Sequence, residues 1–430
     1  MAYLGTGVFK EQEQNVALWR LQVPATGCQS SLANRPTCGG GLPVVSAPAR
    51  GLVAVAGPTP SHTVSRMFGE TLRLATALHC KHEWLSEEFV AESQRLAEGE
   101  ASKKHHYVPQ MYLNRWAVDG LIQPTQVDSR TVHAAQPPKF VAQAKNFYSL
   151  PRSSSTMDLP LKWIEKHLSR IEDPCAARLS ELEAWGQGVV SDDALKRDLA
   201  VFLGLQITRT PSNRERTLVM VNAPISAKRA LIEPLGISAA DLAEARKKDA
   251  DPKQRALDLM IKTVRRAAAH ALYLREWAVY RTSDPIVTCD DPVILVAGPP
   301  VPRFVTAGVV GSAAVLYPIN PYQVLVMLRQ DLHHRGPYRL DAAETQGINI
   351  EVVGAASKTT FERPGDEIAV NICVPPRPAR DVPLTDDDVV GLESGAAFEK
   401  LLLNMMPPSR WSNLNAGPNW PVARWYRGAR

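Results

Sequence analysis

The 430-residue chain reads as an α+β protein, with a helical middle section packed on a mostly antiparallel sheet and an irregular N-terminal extension in front. Apolar residues recur at helical spacing from about 161 to 275, and beyond 277 the period switches to two. The period-two runs are short and broken by Pro, Asp or Gly, as strands are. Strands grouped apart from the helices argue against a doubly wound parallel sheet.

Residues 1 to about 66 hold few charges and are rich in Gly, Pro, Ser and Val, without periodicity, which predicts an irregular lead-in. A gene start assigned too far upstream accounts for the same composition. Helices are expected within 64–96, with Glu87, Glu88 and Glu92 on an exposed face. A short helix over 109–116 ends at the turn dipeptide Asp119-Gly120, and strands follow at 121–128 and 131–135. Helices are predicted over 161–182, 192–216, 218–234, 239–248 and 252–275, the second capped by Ser191-Asp192-Asp193. Strands then fall at 277–282, 285–289, 293–296, 314–318 and 324–328, a helix at 345–356 and a last strand at 367–374. The Pro- and Arg-rich tail reads as a surface wrap. The expected division is 1–102 as extension, 103–375 as one α+β domain and 376–430 as tail, with no internal repeat.

With 45% apolar and 22% charged residues, the chain can bury one large core or two modest ones. A net charge of +5 is too small to argue for nucleic acid, which stays open as a partner. Six cysteines without C-x-x-C spacing speak against a disulfide framework or structural zinc. No run reaches the roughly 18 apolar residues of a membrane span, and the N-terminus lacks a basic start before an apolar core. The expectation is a soluble cytoplasmic protein with no membrane partner.

Three groups of residues carry chemical potential. In Lys104-His105-His106-Tyr107-Val108-Pro109 two adjacent imidazoles each need partners for an N–H and a lone pair. One could serve as base or metal ligand while the other is structural, or both could bond to backbone. Along 192–216 the stripe Leu195, Leu199, Phe202, Leu203 continues as Gln206, Arg209, Thr210 and Asn213, so polar groups replace apolar ones on the inward face. Arg209 there needs a carboxylate, phosphate or carbonyl, as a substrate clamp or in an internal network; Pro211 should bend or restart the helix. Third, Asp290 and Asp291, held by Pro292, could serve as metal ligand or general base, or form an Asp-rich turn. Adjacent strand residues face opposite ways, so one shared site can take only one of them. His333-His334 reads as a solvated turn, and His79-Cys80-Lys81-His82 lacks a second ligand pair. Phosphate-loop, dinucleotide, Gly-x-Ser-x-Gly and His-Glu-x-x-His motifs are absent.

His105-His106-Tyr107-Val108-Pro109-Gln110-Met111-Tyr112-Leu113 resembles the opening of a bacterial domain-of-unknown-function family, DUF4238. Further matches are Asn146-Phe147-Tyr148, Gln206-x-x-Arg209-Thr210-Pro211, Thr288-Cys289-Asp290-Asp291-Pro292, Tyr317-Pro318-Ile319-Asn320-Pro321 and Ile348-Asn349, covering about 103–375. The hundred residues before His105 depart from the family pattern. The resemblance transfers no activity; it implies that these motifs share one domain and that the His pair, Gln206/Arg209 and Asp290/Asp291 converge. A set of His105, His106, Gln206, Arg209, Asp290 and Asp291 would suit a metal-assisted hydrolase of phosphoesters, nuclease-like, with Arg209 as clamp. His106 and Asp290 would hold a divalent metal, if one is used. The alternative is a non-catalytic ligand-binding or interaction module of a bacterial conflict or defence system, and whether the chain is an enzyme stays open.

Overall fold

The structure, a computed structural model, describes residues 82–98, 104–149, 160, 162–224, 265–299, 301–378, 384–392, 408–414 and 417–425, with isolated positions within 256–261 and 396–404. The contacts divide the chain into 1–66 and 67–430, and every described residue lies in the second unit. The lead-in and the helices expected beyond 224 and over 239–248 fall outside the described residues.

In chain order the elements begin with helix α1 (Glu87–Arg95), strand β1 (Lys104–His106), helix α2 (Gln110–Leu113), strands β2 (Gln123–Gln126), β3 (Thr131–Val132) and β4 (Gln143–Lys145), and helix α3 (Trp163–Ala184). Strand β5 (Gly188–Val189) leads to helices α4 (Asp193–Arg209), α5 (Pro211–Asn222) and α6 (Arg265–Tyr273). Strands β6 (Glu276–Thr282), β7 (Thr288–Cys289), β8 (Ile294–Val296), β9 (Ala314–Asn320), β10 (Gln323–Leu328) and β11 (Arg339–Leu340) come next. Helix α7 (Ala342–Ala355) and strand β12 (Thr359–Glu362) complete the set.

The α+β reading holds. Six strands form one sheet in the order β11-β6-β10-β9-β8, with β5 also paired to β6. All its pairings are antiparallel except β11 with β6. Period two sends Val279, Val315, Leu325 and Met327 to one face, where Leu168 of α3 and Phe202 of α4 bury them. Ala278, Leu316, Val324 and Val326 go to the other, against Ile348 and Val352 of α7 and, from the tail, Val422 and Trp425. Both faces are covered, which is why these strands read as almost unbroken apolar runs.

Asp192 caps α4 by accepting from the Leu195 amide, as expected. The helix is buried nearly all round, because Gly204 lets α6 approach closely: a Cβ there would stand 2.7 Å from the Ala269 backbone nitrogen. It stops at Thr210, whose extended backbone precedes Pro211 at the first position of α5. Pro318 sits in β9, beyond Leu316, where pairing with β8 ends, so its missing N–H breaks no ladder.

The strand expected at 367–374 is instead a single 3-10 turn, Ala369–Asn371. The Glu362 carboxylate takes the amides of Ile368 and Ala369, and Glu367 is left-handed at φ 51°, so no ladder can continue. The strand lies earlier, at β12, in the four-stranded sheet β3-β2-β12-β7. No helix among the described residues is long and apolar enough to cross a membrane.

Candidate functional site

The motif residues meet around the α4–α5 junction, and most are bound to one another. β1 pairs with β4 and carries the His-His motif alongside Ala144 and Gln143. His105 is fully buried; its Nδ1 accepts from the Tyr148 amide at 2.9 Å, and its ring stacks on Tyr148. His106 offers its carbonyl to Arg209 Nη2, while its ring nitrogens meet the Lys139 carbonyl and the Gln110 side chain. Burial lowers the pKa of His106, with the Lys139 carbonyl opposing. Gln206 donates to the Tyr107 carbonyl at 2.9 Å; its buried Oε1 has no hydrogen-bond partner.

Arg209 is 2% exposed and donates to Glu172, to the His106 carbonyl and to the Tyr148 hydroxyl. Burial opposes its charge, but the Glu172 carboxylate and the Tyr148 oxygen outweigh that and hold its pKa above the ordinary value. The carbonyls freed by the break at Pro211 are taken by side chains: Tyr148 donates to Arg209 O and Asn213 to Thr208 O, both at 2.9 Å. Tyr112 bridges to the next motif, its hydroxyl 2.6 Å from Thr288 Oγ1 and donating to the Pro318 carbonyl. Asn349 accepts from the Val287 amide and donates to Pro285 O.

The two aspartates part company. Asp290 turns toward the loop after α7 and accepts from the amides of Ser357, Lys358 and Thr359 at 2.7–3.1 Å. Burial pushes its carboxyl up to about 6, against those three amides, which favour the charge. Asp291 turns toward α5, where the Ser212 hydroxyl donates to it. Burial raises its pKa too, while Arg216 and that hydroxyl pull it down. Both nitrogens of His106 and both oxygens of Asp290 are therefore engaged elsewhere, and no group of three or more His, Cys, Asp or Glu fit to hold a metal occurs among the described residues.

Asp291 also lines a cavity of about 120 Å³. Its walls come from α5 (Asn213, Arg216), β8, the 297–307 loop, the end of α7 (Glu351, Gly354) and the tail (Arg377, Arg410, Trp411). Arg303 pairs with Glu351 and also donates to Ala297 O at 2.6 Å. Arg410 pairs with Asp128 and donates to Ala356 O at 3.2 Å. Arg377 uses Nη2 on the carbonyls of Ala355 and Ala356, while its Nε is buried without a partner. Burial lowers the pKa of that guanidinium, with Arg410 reinforcing the effect.

A family model described as "Protein of unknown function (DUF4238)" matches residues 104–366. The chain belongs to this family. No curated protein and no solved structure matches it. The DUF4238 match contains every motif residue above and ends before Arg377, so the cavity has family residues on one side and the tail on the other. Of the six residues singled out in the sequence, only Asp291 reaches the cavity. Ser212, Arg216, Glu351, Arg377 and Arg410 escaped sequence reasoning. Arginines recurring beside prolines in the tail were the available signal, since a guanidinium brought into a packed wrap must find a partner.

Proposed function

We propose that this DUF4238 protein is a ligand-binding module, and that its site is the cavity between the family domain and the tail rather than the histidine motif. One observation carries the reading: Asp291 has the Ser212 hydroxyl where Asp290 has three backbone amides, and it faces a cavity that also holds Arg377, which forms no ion pair among the described residues. Hydroxyls can swing aside for a ligand; amides fixed in a loop cannot. Clefts with few convergent polar groups are the usual form of small-molecule sites.

The test is native mass spectrometry of the purified full chain, followed by thermal-shift screening of a small-molecule library. A bound compound, or a stabilising one, should be lost in Gly354→Leu. The atoms nearest a Cβ at Gly354 belong to Trp411, at 3.5 Å and beyond, an ordinary contact, and Gly354 lines the cavity, so a longer side chain there is chosen to fill it. Ligand binding that survives Gly354→Leu contradicts the proposal.

A phosphoester hydrolase is a second reading, favoured by the raised pKa values of Asp290 and Asp291. Carboxyls raised by burial, Asp290 to about 6, suit general acid–base work. Turnover of bis(p-nitrophenyl) phosphate with magnesium or manganese, abolished by Asp291→Asn, would support it; no turnover under those conditions would count against it.

A further inference from the structure

We infer that the cavity takes a compact anion, a carboxylate or a phosphate monoester, that also carries a hydroxyl or amine donor. The inference rests on the ligand-binding reading above and gives that site its chemistry.

Four guanidinium groups line the cavity against two carboxylates, and with Asp128 paired to Arg410 from outside the wall one positive charge is in surplus. Arg303 is committed to Glu351 and Arg410 to Asp128, and Arg216 lies close enough to Asp291 to act on its charge. Arg377 is held least: Asp291 and Asp290 lie close enough to act on its charge, but among the described residues it forms no ion pair, only two carbonyl bonds through one nitrogen, and its buried Nε has no acceptor. A guanidinium cannot shed its charge, and its planar fork matches the two oxygens of a carboxylate or phosphate. An anion entering here would meet a guanidinium held by no ion pair among the described residues, without displacing any protein carboxylate.

Asp291 sets the other requirement. Ionised, it only accepts hydrogen bonds, so a bare anion beside it would be repelled. A ligand offering an O–H or N–H beside its anionic group satisfies both walls at once. Size limits it further: an engineered cavity of about 150 Å³ holds a molecule as large as benzene, and this one is slightly smaller. A three-carbon skeleton is therefore the right scale.

The experiment is calorimetric titration of the full-length protein at low salt with glycerate, glycerol 3-phosphate and glycerol. At least one of the two anions should bind while glycerol does not, and the tighter anion identifies the head group. Arg377→Met should weaken that anion about tenfold or more, the usual effect of losing charge-assisted hydrogen bonds. Arg377→Lys, which keeps the charge and loses the fork, should fall between, and serves if the methionine variant does not fold. Propionate, glycerate without its hydroxyls, should bind more weakly than glycerate to the native protein and no more weakly to Asp291→Asn. Neither anion binding better than glycerol would overturn the inference, as would an affinity unchanged by both Arg377 substitutions. In either case a neutral library compound expelled by Gly354→Leu would leave the ligand-binding reading standing, whereas failure of every compound would remove both.

Discussion

On the α4 side of Thr210, Arg209 donates to Glu172, His106 O and Tyr148, and His105 and Gln206 close the same knot through backbone atoms. On the α5 side, a few residues away, Ser212 donates to Asp291, which shares a cavity with Arg216 and with Arg377, an arginine in no ion pair among the described residues. Both regions are polar, arginine-bearing and largely buried. They differ in whether the protein itself supplies the partners. A buried guanidinium satisfied from within fixes three chain segments relative to one another; one left short of acceptors is a binding group waiting for something external. The motif residues singled out in the sequence gather mainly on the satisfied side, and Asp291 is the one that crosses over.

If the knot is structural, removing its parts should cost stability. His105→Ala should lose about 2–4 kcal/mol in urea unfolding, since it opens a hole beside Tyr148 and orphans the Tyr148 amide. A loss near zero would free His105 for chemistry and break the comparison. The pH dependence sharpens it at Asp290, whose carboxyl is raised from 3.8 to about 6. A carboxyl raised on folding contributes stability that is present below its unfolded pKa and lost as pH rises through its folded one. Wild-type stability should therefore fall by about 2–3 kcal/mol between the two values relative to Asp290→Asn, which cannot titrate. Parallel curves would mean that the three amides, not burial, control this carboxyl. Tyr112→Phe should cost about 1–2 kcal/mol, the usual range for a lost buried hydroxyl, with the Pro318 carbonyl left unmet. Differential scanning calorimetry would measure it, and an unchanged melting temperature would place Tyr112 outside the knot.

Much of this was legible in the chain. The switch from helical to period-two spacing near 277 gave the layers, and Pro211 gave the break between α4 and α5. The stripe running from Phe202 into Gln206 and Arg209 announced buried polar groups in need of partners. What those partners are was not legible, because Glu172, His106 and Tyr148 are remote in sequence and only the folded chain brings them together. β12 went unseen because Thr359–Glu362 is four residues long and its pattern carries no alternation of its own. The cavity was hidden for a different reason. Arg377 and Arg410 lie in a tail without periodicity, and nothing in a Pro- and Arg-rich segment says which arginine turns inward.

The most direct measurement sets the two arginines side by side: urea unfolding of Arg209→Met and Arg377→Met against the native protein. Arg209→Met should lose about 3–5 kcal/mol, because it leaves Glu172 and the His106 carbonyl without their cation, and Arg377→Met only about 1 kcal/mol. Equal and small losses would contradict the account, because Arg209 would then be held in reserve for a substrate and the histidine motif would regain its claim to the active site.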